Sequence, residues 1–520
     1  MKRAKRITRF ILLTALGAWL LPGGLFAQAN PPARVATLTY VRGQVSLQPS
    51  GQNDWSQAPL NYTITTGDRL YTDQNSRAEL QVGPFAVRLS DGTDLTIANL
   101  NDQTLQLGLA QGTIRVSVYE LPSNNDLEID TPNGALTLLG PGSYRVDVDP
   151  NGGTSVVTVN SGSLQVTGGG VNQTVDAGQA VQLTGSNPIQ IYSVSMPVPD
   201  DFDRWSAERD RRIESSASAR YVGRYMPGYA ALDQYGSWQT VPQYGPVWYP
   251  SDVNPGWVPY RVGYWSWVLP WGWNWVSQEP WGFAPFHYGR WAMFRGRWGW
   301  VPGPANVQPV YCPALVAFVG GAGMVAWFPL GPRDPYIPSY RYSGNYLRQV
   351  NITNVRNVTN ITNITNVRNV HYTYRNVGVT AVPSRVFGSG QRVSAHMVRV
   401  SPQQFARAQV RARPTVAKPL AHTAYLGGKP VSAPRIQAQA ARGAVARAAR
   451  LPKRTGAHPT ARGAALIARK APPAAARGAG RHAVTVARNI PATRRATPRP
   501  ARAPAARAAA RRGPPPRRAA

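Results

Sequence analysis

Twelve of the sixteen tryptophans fall between Trp238 and Trp300, a span of 63 residues. Indole faces can hold sugar rings, proline-rich segments or cationic groups, and the same rings fill cores at ~150–250 Å2 of buried area each. Strand alternation places Trp265 with Trp267 on one face, Trp271, Trp273 and Trp275 on another, and pairs Trp298 with Trp300. Trp238, Trp265, Trp267, Trp273, Trp291 and Trp300 are the candidate ligand-binding aromatics, with core packing as the competing reading.

Groups suited to catalysis are sparse. Glu279 and Asp252 lie in the same tryptophan-rich stretch and would form a hydrolytic pair only if the fold set them roughly 5–10 Å apart. His287 is the sole histidine before residue 371 and sits among aromatics in Phe286-His287-Tyr288, where a structural hydrogen bond competes with general-base chemistry. The single cysteine, Cys312, rules out an intramolecular disulfide framework and a Cys-rich metal site. Asp147-x-Asp149-x-Asn151-Gly152 begins like a calcium loop, but Thr158 stands where a bidentate Glu is required, and Pro150 suits a hairpin turn. HExxH, CxxC, G-x-S-x-G and P-loop motifs are absent from the sequence. The expectation is therefore a non-enzyme without catalytic, metal or cofactor-binding residues.

Two kinds of element would carry these residues. Residues 35–195 alternate apolar and polar positions in short runs broken by Gly, Asn and Asp, which predicts half-buried antiparallel strands. A Gly-led unit recurs there three times: Gly43-x-Val45-x-Leu47, Gly112-x-Ile114-x-Val116 and Gly162-x-Leu164-x-Val166. Each reads as a tight turn feeding a strand of a sandwich, barrel or β-helical stack. In the tryptophan-rich region, taken as 223–335, Gly236-x-Trp238, Gly263-x-Trp265 and Gly289-x-Trp291 recur at intervals of 27 and 26 residues. Such periods mark repeated supersecondary units, here β-hairpins with Pro/Gly turns. Between the two regions, 196–222 reads as a charged connector. Ten of the fifteen residues from Asp200 to Glu214 are charged, and Asp200 or Asp201 is placed to cap a short surface helix.

Val41-Arg42-Gly43-Gln44-Val45 and the run Ile64–Val82, which includes Gly67-Asp68-Arg69-Leu70 and Arg77-Ala78-Glu79-Leu80, resemble the FecR-like domain of bacterial envelope proteins. The later stretches IDTPNGALTLLGPGSYRVDV and VNSGSLQV…VDAGQAVQL follow in the order of that family. The resemblance covers about 150 residues. It implies an all-β, non-catalytic, extracytoplasmic scaffold. The best-known members pass signals from an outer-membrane transporter to an inner-membrane sigma-factor regulator, after a cytoplasmic helical segment and a membrane span. This sequence opens differently, so the resemblance implies the scaffold rather than the circuit. The motif GFAPFHYGRWAMFRGRWGWVPG resembles a tryptophan-rich domain of unknown function often found behind FecR-like domains.

The N-terminus carries an address. Lys2, Arg3, Lys5, Arg6 and Arg9 precede an apolar run from Phe10 to Leu21, and Ala27-Gln28-Ala29 supplies a cleavage pattern, so residues 1–29 read as a secretory signal peptide. No later stretch reaches ~18 uninterrupted apolar residues, so no transmembrane helix is expected in the mature chain. The expected location is the periplasm or the cell surface.

Charge divides the chain. The last acidic residue is Asp334; up to and including it stand 23 Lys/Arg against 24 Asp/Glu, and after it 34 Lys/Arg and no acid. Residues 336–380 include Asn triplets from Asn351 to Val370, a period that fits neither a helical stripe nor strict strand alternation. Residues 381–520, rich in Ala, Arg and Pro, are expected to be a disordered basic tail. Behind an export signal its polyanionic partners would be lipopolysaccharide, anionic lipid or wall polymer, not intracellular nucleic acid. The reading is a mainly β envelope scaffold or binding module: a sandwich or β-helical domain, a hairpin-repeat domain and a basic tail. Two alternatives stand beside it. One is a signalling component recognising an envelope protein through the FecR-like region. The other is a peptidoglycan- or carbohydrate-binding protein, or a wall-glycan hydrolase, that uses the tryptophans.

Overall fold

The computed structural model describes residues 30–321, 323–352, 371–401, 405 and 408–434. The signal-peptide segment, nearly all of the Asn triplets and the chain beyond 434 lie outside the described residues. From Ala36 to Val194 the chain forms two sheets joined through one long strand, Thr104–Val118. The first half of that strand pairs with Asp94–Leu100 and, in parallel, with Asp126–Asp130; the second half pairs with Phe85–Leu89 and Gly142–Val148. The alternating Val, Leu and Ile side chains of both sheets fill a single core.

The three Gly-led units mark the places where the chain changes sheet. Gly43 separates Ala36–Arg42 in one sheet from Val45–Gln48 in the other, and Gly162 does the same between Thr154–Ser161 and Ser163–Gly168. Gly112 sits where the long strand crosses over. All three have positive φ, at 75°, 85° and 88° for Gly43, Gly162 and Gly112, which only glycine adopts without strain. At Gly112 a Cβ would also stand 2.4 Å from the Cα of Thr93.

The expected short helix is present as α1, Asp201–Glu214, with Asp200 as N-cap in a capping box with Asp203. It is not a spacer, as its polar sequence implied. Phe202 and Ile213 are buried, and four ion pairs fasten α1 to the sheet. Arg209 meets Glu79 at 2.6 Å, and Arg88 bridges Glu79 and Asp210 at 2.8 Å each. Arg115 and Arg145 both reach Asp203, at 2.6 and 2.7 Å.

The tryptophan-rich region is built from four hairpins. The first pairs Gly236–Val241 with Gly245–Pro250, the second Gly263–Val268 with Gly272–Ser277, and the third Arg290–Phe294 with Arg297–Val301. The fourth, Val316–Gly321 with Met324–Pro329, is flanked by Thr380–Pro383 and Val410–Arg411. The tail therefore does not begin at 381. Residues after 380 supply two strands of this sheet, and a third, Pro430–Val431, pairs with Trp55–Gln57 at the edge of the sandwich. Val382, Val386, Phe387, Val393, Val410, Val416, Ala424 and Leu426 are buried and anchor this segment to the folded body.

Candidate functional site

Each Gly-x-Trp unit opens a hairpin whose return strand carries a second tryptophan opposite the first. Trp238 faces Trp248, Trp265 faces Trp275 and Trp291 faces Trp300. The second ring lies over the glycine. A Cβ on Gly236 would stand 2.3 Å from the Trp248 indole, one on Gly263 2.6 Å from that of Trp275, and one on Gly289 2.7 Å from that of Trp300. The spacing signal was in the sequence, since these partners follow at 10, 10 and 9 residues.

Four of the six candidate aromatics are buried in the core: Trp265, Trp273, Trp291 and Trp300. Trp265 packs against Phe387, Phe318, Trp327 and Trp275 with ring centroids 5.2–5.5 Å apart. Trp273 donates to the carbonyl of Val416 at 2.7 Å. Trp238 and Trp267 remain half-buried, Trp238 stacked on Tyr221 at 4.5 Å and Trp267 edge-on to Trp273 at 5.5 Å.

The groups with catalytic potential sit in different surroundings. Glu279 is buried and accepts hydrogen bonds from the Trp257 indole at 2.6 Å and the Ser277 hydroxyl at 3.1 Å, whereas Asp252 is exposed and shares no hydrogen bond with it. Burial pushes the Glu279 carboxyl up to about 7. His287 stacks on Tyr311 and bonds through Nδ1 to the Cys312 carbonyl at 2.8 Å, and burial pushes its pKa down to about 4. The Cys312 thiol is pushed up to about 12, also by burial. Asp149 caps the hairpin turn, accepting from the backbone N–H groups of Asn151 and Thr154 at 2.6 and 2.8 Å. Among the described residues, no group of three or more His, Cys, Asp or Glu is placed to hold a metal ion.

Asp68 belongs to the Gly67-Asp68-Arg69-Leu70 stretch, and nothing local in the sequence marks it as a buried acid. Its carboxylate is buried, accepts from the backbone of Ser50 and Thr65 at 2.7 and 2.8 Å, and is pushed up to about 7 by desolvation. Arg290 is likewise buried; desolvation lowers its pKa, and it bonds Asn351, the first Asn of the triplet run, at 3.0 Å.

The sandwich and the hairpins are locked to each other by polar contacts. Asn61 donates to the carbonyls of Ser277 and Glu279 at 3.1 and 2.7 Å, and the Thr63 and Tyr311 hydroxyls meet at 2.6 Å. A C-terminal strap, residues 423–431, bridges both: Ser56 donates to the carbonyl of Leu426 at 2.6 Å and Ser266 to that of Ala424 at 3.0 Å. Between these three parts opens a cleft of about 770 Å3. Its walls come from Val41 and Gln57–Leu60 of the sandwich, Tyr264–Ser266 and Val276–Gln278 of the second hairpin, residues 389–392, Ala395 and His396, and Gly427–Pro430 of the strap.

The fold and this cleft define a mainly β, tryptophan-rich protein. Residues 229–334 match a family of unknown function, DUF6600, within the boundaries expected for the tryptophan-rich region. Two crystal structures, each described as a "putative anti-sigma factor" from Parabacteroides distasonis ATCC 8503, are similar to part of the chain at 13% and 14% identity. Both similarities have a TM-score of 0.23 and cover 27% of this chain, and 64% and 62% of the other, less than two thirds of either. No curated protein matches the sequence. Among the described residues, no helix is long and apolar enough to cross a membrane.

Proposed function

We propose that this chain is an exported, non-catalytic binding scaffold of the bacterial envelope, and that its ligand enters the cleft between sandwich, hairpins and strap. One observation carries this reading: an open cavity of about 770 Å3 at the junction of three chain segments that are otherwise tightly joined. That size falls in the ~300–1,000 Å3 range of ligand sites, and junctions between folded units are their usual place. The N-terminal export pattern and the FecR-like resemblance support an envelope setting. The 34 cations after Asp334, unmatched by any acid, support attachment to an anionic envelope polymer.

Co-sedimentation of the full chain with purified peptidoglycan and with outer-membrane vesicles tests the proposal. Saturable pelleting with at least one of them is expected. Protein that stays in the supernatant with both overturns the reading.

A further inference from the structure

The cleft has a charge of one sign. Its lining includes Arg392, Lys429 and His396 and no Asp or Glu. Five arginines on or against the sandwich, Arg69, Arg88, Arg115, Arg145 and Arg209, are met by carboxylates. Arg392 and Lys429 have no carboxylate partner among the described residues, and both are exposed. Cations left unpaired in a concave site raise the local concentration of anions.

The rest of the lining is neutral and rich in hydrogen-bonding groups. Gln57, Gln278, Gln391 and Ser389 present amides and a hydroxyl, which suit a ligand carrying many hydroxyl groups. Tyr264 adds a half-buried ring, and its hydroxyl donates to the carbonyl of Gly427, which fixes the ring in the wall. An aromatic face held this way matches the C–H face of a pyranose. The chain's own C-terminal segment is the wrong occupant, because it holds no acid to meet Arg392 and Lys429.

We propose that the cleft binds a carboxylate-bearing sugar, with the acid held by Arg392 and Lys429 and a ring laid against Tyr264. The inference rests on the cleft being the binding site. Its volume of about 770 Å3 admits a short oligosaccharide rather than a single small anion. A guanidinium recognises a carboxylate through two parallel N–H···O bonds, which gives orientation as well as attraction.

The test is a titration of the full chain, followed by tryptophan fluorescence and calorimetry. The probes are N-acetylmuramic acid, 3-deoxy-octulosonic acid, neutral N-acetylglucosamine and a short polyglutamate peptide. At least one sugar acid is expected to bind at least about tenfold more tightly than N-acetylglucosamine, since a charge-assisted hydrogen bond contributes more than that factor. Preference for the first acid points to wall glycan as the source, and preference for the second to lipopolysaccharide. The double variant Arg392→Gln/Lys429→Gln should lose the preference while melting like the wild type, because both side chains are exposed. Equal binding of acidic and neutral sugars, no binding of either acid, or polyglutamate binding as tightly as the sugar acids would overturn the proposal. Pelleting of the full chain with peptidoglycan or vesicles, alongside flat sugar titrations, would sink this inference and leave the scaffold reading standing.

Discussion

Gly263 lies directly under the indole of Trp275: a methyl group on its Cα would stand 2.6 Å from ring atom Cζ2 and 2.4 Å from the carbonyl oxygen of Val276. The same relation joins Gly236 to Trp248 and Gly289 to Trp300. The repeat is therefore a packing device. A bare Cα lets the second indole of each hairpin drop onto the strand, and the resulting aromatic layer packs among the buried Val and Leu side chains of this region.

Gly263→Ala should consequently destabilise the protein, although alanine favours most structures over glycine. Overpacking of a filled core costs ~1–3 kcal/mol. Trp275→Ala, which empties the same contact, should cost ~3–5 kcal/mol. Denaturant unfolding of the two variants measures both. A neutral Gly263→Ala would show that the ring is free to move away.

The Glu79 cluster predicts how α1 is held. Burial alone would raise the Glu79 carboxyl, but Arg88 and Arg209 hold it down at about 2. Glu79→Gln leaves two guanidinium groups facing a neutral amide, and breaking a buried pair in this way costs ~3–5 kcal/mol. The stability this group contributes is complete above its unfolded value, about 4, and is lost as pH falls toward 2. Acid titration of the wild type should therefore show a loss of stability below about pH 4 that Glu79→Gln lacks. If hydrogen exchange on α1 is unchanged in the variant, the cluster does not hold the helix.

Glu279 predicts the opposite slope. Its folded pKa is raised to about 7 by burial, so the folded state holds a proton that the unfolded chain releases near pH ~4. Its contribution is full below about pH 4 and disappears as pH rises through about 7. Glu279→Gln keeps the acceptor for Trp257 and removes the ionisation. The melting temperature of the variant, relative to wild type, should rise between pH 5 and pH 8. A difference that stays constant over that range refutes the assignment.

Several of these relations were legible in the sequence, for a physical reason. Gly43, Gly112 and Gly162 stood out because a change of sheet needs positive φ, and the alternation that follows restarts in the other sheet. The hairpins were legible because a two-stranded unit writes its Gly and Trp at a fixed spacing. Asp200 was legible as a cap because capping is local. The docking of α1 was not, since its charges read as a solvated face until Glu79, Arg115 and Arg145 arrive from distant strands. The cleft was illegible for the same reason: Gln57, Tyr264, Arg392 and Lys429 come from four separate stretches of chain. Composition also misplaced the tail. Averaging over 381–520 hid the dispersed Val, Phe and Leu that anchor residues up to 434.

Truncation on either side of that boundary should separate a structural from an electrostatic contribution of the C-terminal chain. Residues 435–520 hold 21 Lys/Arg and no acid, and they follow the strap. Ending the chain after 434 should leave the melt unchanged while abolishing most attachment to outer-membrane vesicles. In the full chain that attachment should weaken steeply with salt, because the Debye length is only ~8 Å at physiological ionic strength. Ending the chain after 400 removes more than charge. It takes away Val410–Arg411 from the fourth hairpin's sheet and Pro430–Val431 from the sandwich edge. It also strips the Trp273 indole of its acceptor on Val416 and leaves the Ser56 hydroxyl only the more distant Leu47 carbonyl, at 3.4 Å. A buried donor left without an acceptor costs ~1–3 kcal/mol, so this shorter chain should melt several degrees lower, as a ΔΔG of that order implies. Equal melts for the two truncations would show that the strap contributes nothing to the fold. Vesicle binding by the 434-residue chain at the wild-type level would move the attachment site onto the folded body, with the unpaired Arg392 and Lys429 as the first residues to test.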